Sequence, residues 1–324
     1  MANAVVVTCP HTGLPISTPL HPTAWFNLLA NYPDRNWSRR LVGDIIHGAD
    51  IGFRGSRKTR IDCRNMPLTT EESAAVAVHL QEETALARLA GPYTNPPWEH
   101  WWCSPLKTVP KKSSAKRFRI VHHLSYPHGK SVNNYTADWD CFLSRFDDAV
   151  DIVRRLGKGC FMSKVDVKAA YHCIPVRPAD WPVLGMLWNG SYYFHKTLPF
   201  GLKTSCHIWE RYSSAAEWVL GAEGGVRNTT HYVDDFFVAN SNEALCTADL
   251  VVIDRLFVRL GLPVSLRLDP STTIIFLGFE IDSMDMEIRL GQARLQEITN
   301  MLNNWESRRT CSARELQSLI GTLQ

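Results

Sequence analysis

His231-Tyr232-Val233-Asp234-Asp235-Phe236-Phe237-Val238-Ala239 is the stretch on which the fold turns. Two apolar arms flank a pair of adjacent carboxylates. Arms of this composition want burial in a sheet, whereas neighbouring carboxylates do not, so the pattern predicts a β-hairpin with Asp234-Asp235 at its turn. Aspartates also occupy turns for conformational reasons alone. Such turns usually come with Gly or Asn and polar flanks, and here the flanks are aromatic. Working outward, a short strand is expected over Phe161–Val167, after Gly157-Lys158-Gly159. It carries Asp166 near its end in Lys164-Val165-Asp166-Val167-Lys168-Ala169-Ala170-Tyr171. A lone strand aspartate is more often a satisfied structural residue, and a lone Asp-Asp turn is a weak signal. The three together, in this order and on apolar strands, form a much stronger one. Asp147-Asp148 lies in a polar, helical stretch and reads as solvated.

Carboxylates converging from neighbouring strands suit phosphoryl transfer, which needs divalent cations to neutralise phosphate charge and activate an attacking hydroxyl. Mg²⁺ is hard, takes oxygen ligands and is usually held by a few carboxylates plus substrate phosphates. Two such ions about 4 Å apart stabilise both the attacking and the leaving oxygen. Without a cation, mutual repulsion raises at least one carboxyl pKa.

Composition bounds the remaining classes. The chain has 324 residues, 45% hydrophobic and 21% charged, ordinary for a globular protein of two or three subdomains. No apolar run approaches the roughly 18 residues needed to span a bilayer. The N-terminus has no basic region ahead of an apolar run, so an intracellular protein, cytoplasmic or nuclear, is expected. Nine cysteines without a C-x-x-C pair fit idle thiols in a reducing compartment better than disulfides or a zinc site. The net charge of +3 says little alone. However, Lys107, Lys111, Lys112, Lys116, Arg117 and Arg119 fall within thirteen residues with no acid among them. Such a cluster is a solvated basic face or a grip on phosphates.

Residues 1–68 read as irregular, rich in Pro, Asn, Arg and Trp. Thr69-Thr70-Glu71-Glu72 is a capping box opening a helix, expected to end at Gly91-Pro92. Residues 92–105 carry so many prolines that they are expected to be extended or looped, and a domain boundary is placed there. Residues 106–124 predict a hairpin turning at Ser113-Ser114-Ala115 with basic residues on both arms. A further strand is expected over 191–198 and a helix over 204–220, with Ile208, Tyr212, Ala215, Ala216 and Val219 on one stripe and Gly221 as its stop. After strand-like residues 272–282 come two helices. Leu295, Ile298, Met301, Leu302 and Trp305 stripe the first, and Ser312-Ala313-Arg314-Glu315 caps the second, striped by Leu316, Leu319, Ile320 and Leu323. Because the chain stops inside that pattern, a longer natural polypeptide is expected. The whole reads as α+β, an antiparallel sheet backed by helices.

Tyr232-Val233-Asp234-Asp235, downstream of the strand-borne Asp166, resembles the Tyr-x-Asp-Asp palm turn of retroelement reverse transcriptases. The likeness covers roughly residues 95–324. It is most similar to the tyrosine-recombinase (DIRS-type) retrotransposons, through Val121-His122-His123-Leu124-Ser125-Tyr126-Pro127 with Gly129, Ser131, Val132 and Asn133. The resemblance implies a right-hand polymerase: an N-terminal extension over 1–95, fingers and palm over 96–285, and the start of thumb or connection helices over 286–324. It implies an RNA-directed DNA polymerase using Mg²⁺, with Mn²⁺ as a substitute, and taking dNTPs on an RNA or DNA template with a primer. Asp166, Asp234 and Asp235 match the catalytic carboxylates, which with Val167 hold metal. Lys111, Lys112 and Arg119 match the cations that grip a triphosphate. Ala170, Tyr171, Phe200 and Gly201 match the nucleotide site, Tyr171 as a steric gate against a 2′-hydroxyl. Phe276-Leu277-Gly278 matches the primer grip.

The pattern departs from the family in two places. Thr204-Ser205-Cys206-His207 follows Lys203 where a small residue and proline are usual, and Leu266, beside Arg267, stands where a lysine is often found. They motivate an alternative, a catalytically inactive nucleic-acid-binding remnant of such an element. An RNA-dependent RNA polymerase is disfavoured by Tyr171 and by Val233.

Overall fold

The computed structural model describes residues 7–110, 118–306 and 308–323. In chain order its elements begin with α1 (Pro22–Leu28), α2 (Arg35–His47), β1 (Ile61–Asp62), α3 (Thr70–Ala85), β2 (Leu89–Tyr93) and β3 (Trp102–Cys103). There follow β4 (Leu106–Pro110), β5 (Phe118–His122), α4 (Phe146–Leu156), β6 (Phe161–Val167), β7 (Gly185–Trp188), β8 (Ser191–His195) and α5 (Ser205–Ala222). The last part comprises β9 (Thr229–Tyr232), β10 (Asp235–Asn240), α6 (Glu243–Leu260), β11 (Val264–Arg267), β12 (Thr273–Phe276), β13 (Phe279–Asp282), β14 (Glu287–Leu290), α7 (Gln292–Glu306) and α8 (Ala313–Leu323).

The sheet that carries the aspartates has the order β11-β6-β10-β9, with β10 antiparallel to both neighbours. Alternation along β6 and β10 sends Val165, Val167, Phe236 and Val238 to one face. There they join the main core with Ile208, Tyr212 and Val219 of α5 and Ile253 and Phe257 of α6. The other face carries Met162, Lys164 and Asp166 opposite Ala239, Phe237 and Asp235. Its far end packs under α4 and the β12–β13 hairpin, where Met162, Phe237 and Ala239 meet Ile152, Val153, Ile274 and Phe276. Full burial of a side chain such as Phe237 contributes about 1.5–3 kcal/mol. That cover stops short of Asp166 and Asp235, which remain half-buried. One face of one sheet is therefore apolar at one end and open at the carboxylate end.

A second sheet, β1-β3-β7-β8-β2, lies beside the β4–β5 hairpin, which pairs from Leu106↔His122 to Pro110↔Phe118. The capping box at Thr69 and Glu72 forms as expected, and Val76 and Leu80 of α3 pack on Leu89, Leu106 and Met186. The turn expected at Ser113-Ser114-Ala115 lies outside the described residues.

Four local expectations need correction. The described residues 7–68 contain two helices: Asp34 caps α2 by accepting from Trp37 N, and Leu41, Val42 and Ile45 bury one face in the main core. The helix opened at Thr70 ends at Ala85 rather than Gly91-Pro92. Gly91 and Pro92 instead lie within β2, at a register shift between Ala90 and Tyr93 where no ladder N–H is needed. Trp102 and Cys103, expected to be unpaired, form β3 between β1 and β7. Finally, α5 runs through Gly221 to Ala222. The stripe residues Leu295, Leu302, Leu316, Ile320 and Leu323 of α7 and α8 are exposed. No helix among the described residues is long and apolar enough to cross a membrane.

Candidate active site

β9 and β10 pair at Tyr232↔Asp235, leaving Val233 and Asp234 as a two-residue turn. Val233 sits at φ +57°, a costly conformation for a β-branched side chain. Two donors from α5 hold it there: Trp209 Nε1 and Ser213 Oγ each donate to the Val233 carbonyl at 2.8 Å. Val167 N donates to the Asp234 carbonyl at 2.9 Å, tying the turn to the end of β6. Nearby, His231 Nε2 lies 2.8 Å from Glu210 and Nδ1 2.5 Å from Glu217, so α5 also grips β9.

Across the sheet, Leu266, Asp166, Asp235 and Tyr232 form one row of directly opposed residues. Like charges directly opposite destabilise a sheet, and the local chemistry answers this. Ser265 Oγ donates to Asp166, and Lys164 Nζ lies 3.6 Å from Asp235. Burial first, then the charges of Asp234 and Asp235, push the Asp166 carboxyl up to about 6 despite Lys164. Asp234 is likewise raised by burial and by Asp235, with Arg119 and Lys164 opposing. Among the described residues no group of three or more His, Cys, Asp or Glu side chains is assembled to hold a metal ion. The carboxylates sense one another's charge without being gathered on one point.

Beyond β6, Ala169 at φ +51° turns the chain into a 3-10 turn, Ala170–Cys173, that carries Tyr171. The Tyr171 and Phe200 rings lie 5.1 Å apart, and the Arg119 guanidinium is 5.7 Å from the Phe200 ring. Gly201 has φ +107°, and any Cβ there would strike the His122 carbonyl. The Asn133 side chain fastens the same segment, donating to the Gly201 carbonyl at 2.8 Å and accepting from Lys203 N at 2.9 Å. An open groove of about 900 Å³ is bordered by Phe118, Arg119, Lys168, Ala169, His172 and Phe200. Arg119, Tyr171, Phe200 and the aspartates are thus brought to one region, with Ala170 and Gly201 in the adjoining backbone. Lys111 and Lys112 lie outside the described residues.

Phe276, Leu277 and Gly278 are at the β12–β13 turn, Leu277 at φ +49° and Gly278 at φ +87°. The Phe276 ring is buried 5.3 Å from Phe237. Leu266 faces Asp166 across the strands, and Arg267 is engaged by Asp254 at 2.6 Å. Sequence reading missed Trp209, Ser213, Ser265 and Asn133 as holders of the site. Trp209 and Ser213 stand four residues apart on one helix, each with a donor at its tip, and that spacing was the available signal.

The sequence profile described as "Reverse transcriptase (RNA-dependent DNA polymerase)" matches residues 109–281, more than half of the chain. The chain belongs to the reverse transcriptase family. Among its relatives, the Pro-Pol polyprotein of feline foamy virus is 26% identical over 225 residues, 68% of this chain and 17% of the polyprotein. The Pol polyprotein of transposon gypsy from Drosophila melanogaster is 33% identical over 93 residues, 29% of this chain and 9% of that protein. These are retroviral and retrotransposon Pol proteins, so this is a reverse transcriptase of the retroelement type. The chain spans less than a fifth of these relatives' length. Among solved structures, a foamy viral protease-reverse transcriptase in complex with double-stranded DNA matches with a TM-score of 0.61 at 16% identity. That match covers 95% of this chain and 53% of the other. The same viral protein in complex with an RNA/DNA hybrid gives a TM-score of 0.59 at 15% identity, covering 95% and 41%. The fold is the α+β right-hand polymerase.

Proposed function

We propose that this reverse transcriptase is an RNA-directed DNA polymerase in which a primer 3′-hydroxyl attacks the α-phosphate of a dNTP at Asp166, Asp234 and Asp235. The observation that carries the reading is the register Asp166↔Asp235, with Asp234 in the adjoining turn. Three carboxylates, two of them raised in part by one another's charge, fit a hard divalent cation. Asp166, Asp234, Asp235 and the Val167 carbonyl would hold Mg²⁺ or Mn²⁺. When bound, such ions neutralise phosphate charge and activate the attacking hydroxyl.

The chain's own residues do the rest by positioning and electrostatics. Arg119, with Lys111 and Lys112, neutralises the triphosphate. Tyr171, braced by Phe200, excludes a 2′-hydroxyl, and Ala170 lines the sugar side. Phe200 and Gly201 contact the base and template. Leu277 and Gly278 present backbone to the primer, with Phe276 anchoring their turn in the core. In this reading residues 1–95 are an extension, 96–285 fingers and palm, and 286–324 the start of thumb or connection helices. The His122-His123-Leu124-Ser125-Tyr126-Pro127 segment and Asn133 support a DIRS-type lineage. The nucleic-acid complexes of the foamy viral relatives support a primer–template partner.

Primer extension on an RNA template with Mg²⁺ tests the proposal, and dNTP incorporation well above rNTP incorporation is expected. Leu266 opposite Asp166, where a cation is common, favours a second reading as a silent nucleic-acid-binding remnant. Salt-dependent binding of a primer–template duplex without any incorporation would establish that reading instead.

A further inference from the structure

Behind Tyr171 the structure holds a pair of thiols that the polymerase reading does not use. Cys141 belongs to residues 137–145, which form no regular element, and Cys206 is the second residue of α5. The Cys141 thiol donates to Cys206 Sγ at 3.4 Å. Cys141 is exposed and Cys206 half-buried, so reagents in solution reach the pair. The pairing belongs to a wider clasp between this segment and the start of α5. Lys203 Nζ lies 2.6 Å from Asp138, His207 Nδ1 is 2.6 Å from the Asp140 carbonyl, and the Trp139 and His207 rings are 5.1 Å apart. α5 also packs on the 3-10 turn that carries Tyr171, and after burial the nearby Cys206 thiol raises the Tyr171 hydroxyl pKa. One sulfur therefore neighbours both its partner thiol and the hydroxyl of the tyrosine proposed to gate the nucleotide sugar.

We propose that Cys141 and Cys206 form a redox-active dithiol whose oxidation to a disulfide withdraws Cys206 from Tyr171 and alters the nucleotide site. The sulfurs must close from 3.4 Å to about 2.0 Å, a movement that an irregular segment absorbs more readily than a helix does. The oxidant is a low-molecular-weight disulfide, RSSR. The thiolate form of Cys206, its proton given up to solvent, attacks RSSR, forming Cys206–S–S–R and releasing RS⁻. Cys141 keeps its proton, as the donor to Cys206, until this step. It then yields its proton to the released thiolate and attacks the Cys206 sulfur, expelling a second RS⁻. Two protein thiols lose two electrons, and RSSR gains them to become two RSH.

The test incubates the whole chain with oxidised or reduced glutathione and maps peptides without reduction. A Cys141–Cys206 cross-link that reduced glutathione reverses is expected. In Cys141→Ser, Cys206 should stop at the mixed disulfide with glutathione. Glutathione on the exposed Cys311 with no Cys141–Cys206 cross-link would overturn the proposal. This arm is independent of polymerase activity, so its failure is distinct from failure of the proposed function. The second arm rests on that function: oxidation should change KM for dNTP several-fold in the wild type and leave KM of the double variant Cys141→Ser, Cys206→Ser unchanged. A cross-link formed with KM unaltered would overturn the coupling to Tyr171.

Discussion

Two of the protein's tight hairpins solve the same geometric problem differently. At the β12–β13 turn, Leu277 and Gly278 both take positive φ, and the glycine occupies its position without a Cβ penalty. At the β9–β10 turn only Val233 takes positive φ, a place where glycine is the usual choice, and Asp234 follows it. The first hairpin is anchored from below, by Phe276 in a hydrophobic cluster. The second is anchored from the side, by hydrogen bonds from Trp209 and Ser213 and by the two glutamates around His231. With valine rather than glycine at the strained position, α5 supplies the compensation. Strain of this kind gathers where side-chain placement matters.

Removing the clamp should break the comparison most. Trp209→Phe with Ser213→Ala frees the Val233 carbonyl while keeping most of the packing. Misplacement of reacting groups by about 1 Å can cost on the order of 100-fold, so a fall in kcat of that order is expected, with a smaller change in KM. Steady-state primer extension checks it.

The second test concerns the charge that holds β9. Burial alone would lower the His231 pKa, but the bonds to Glu210 and Glu217 raise it to about 9. A folded pKa above the unfolded value of about 6.5 means this stabilisation is complete below about pH 6.5 and lost as pH rises toward 9. The contribution is at most about 3 kcal/mol. Denaturant unfolding from pH 6 to 10 should show the loss in the wild type, and His231→Gln should flatten it.

Gly278→Ala should cost about 1–2 kcal/mol by forcing a Cβ into positive φ, read as a lower melting temperature. Val233→Gly is the mirror experiment and the smallest effect. Relief of strain should outweigh the glycine entropy cost, raising stability by up to about 1 kcal/mol, while looser placement of Asp234 lowers activity. A thermal melt beside a single-turnover assay reads both.

Much of this arrangement was legible in the sequence because it follows from alternation. The bounds of β6 and the capping boxes at Thr69 and Ser312 were readable from local pattern. So was the hairpin at the carboxylates, although its turn falls one residue earlier than expected, at Val233-Asp234, with Asp235 already paired in β10. The N-terminal helices were not, because Trp25, Leu28, Leu41, Val42 and Ile45 are scattered among prolines, asparagines and arginines. Their burial depends on the main core, against which Trp25 Nε1 donates to the Leu260 carbonyl at 2.9 Å. β2 escaped notice because Gly91-Pro92 reads as a stop when the register shift that accommodates it is unknown. The clamp and the Asn133 fastening join residues 20 to 70 positions apart, and no short-range periodicity encodes such contacts.

The central claim is that Asp166, Asp234 and Asp235 are the catalytic carboxylates of an RNA-directed DNA polymerase. Single-turnover dNTP incorporation on an RNA template compares Asp166→Asn, Asp234→Asn and Asp235→Asn with a double Asp147→Asn, Asp148→Asn control in the first turn of α4. Each of these ligands supports several kcal/mol of transition-state charge stabilisation, so the account predicts a loss of at least about 1,000-fold in each of the three and wild-type rates in the control. Activity unchanged in any of the three substitutions would contradict it.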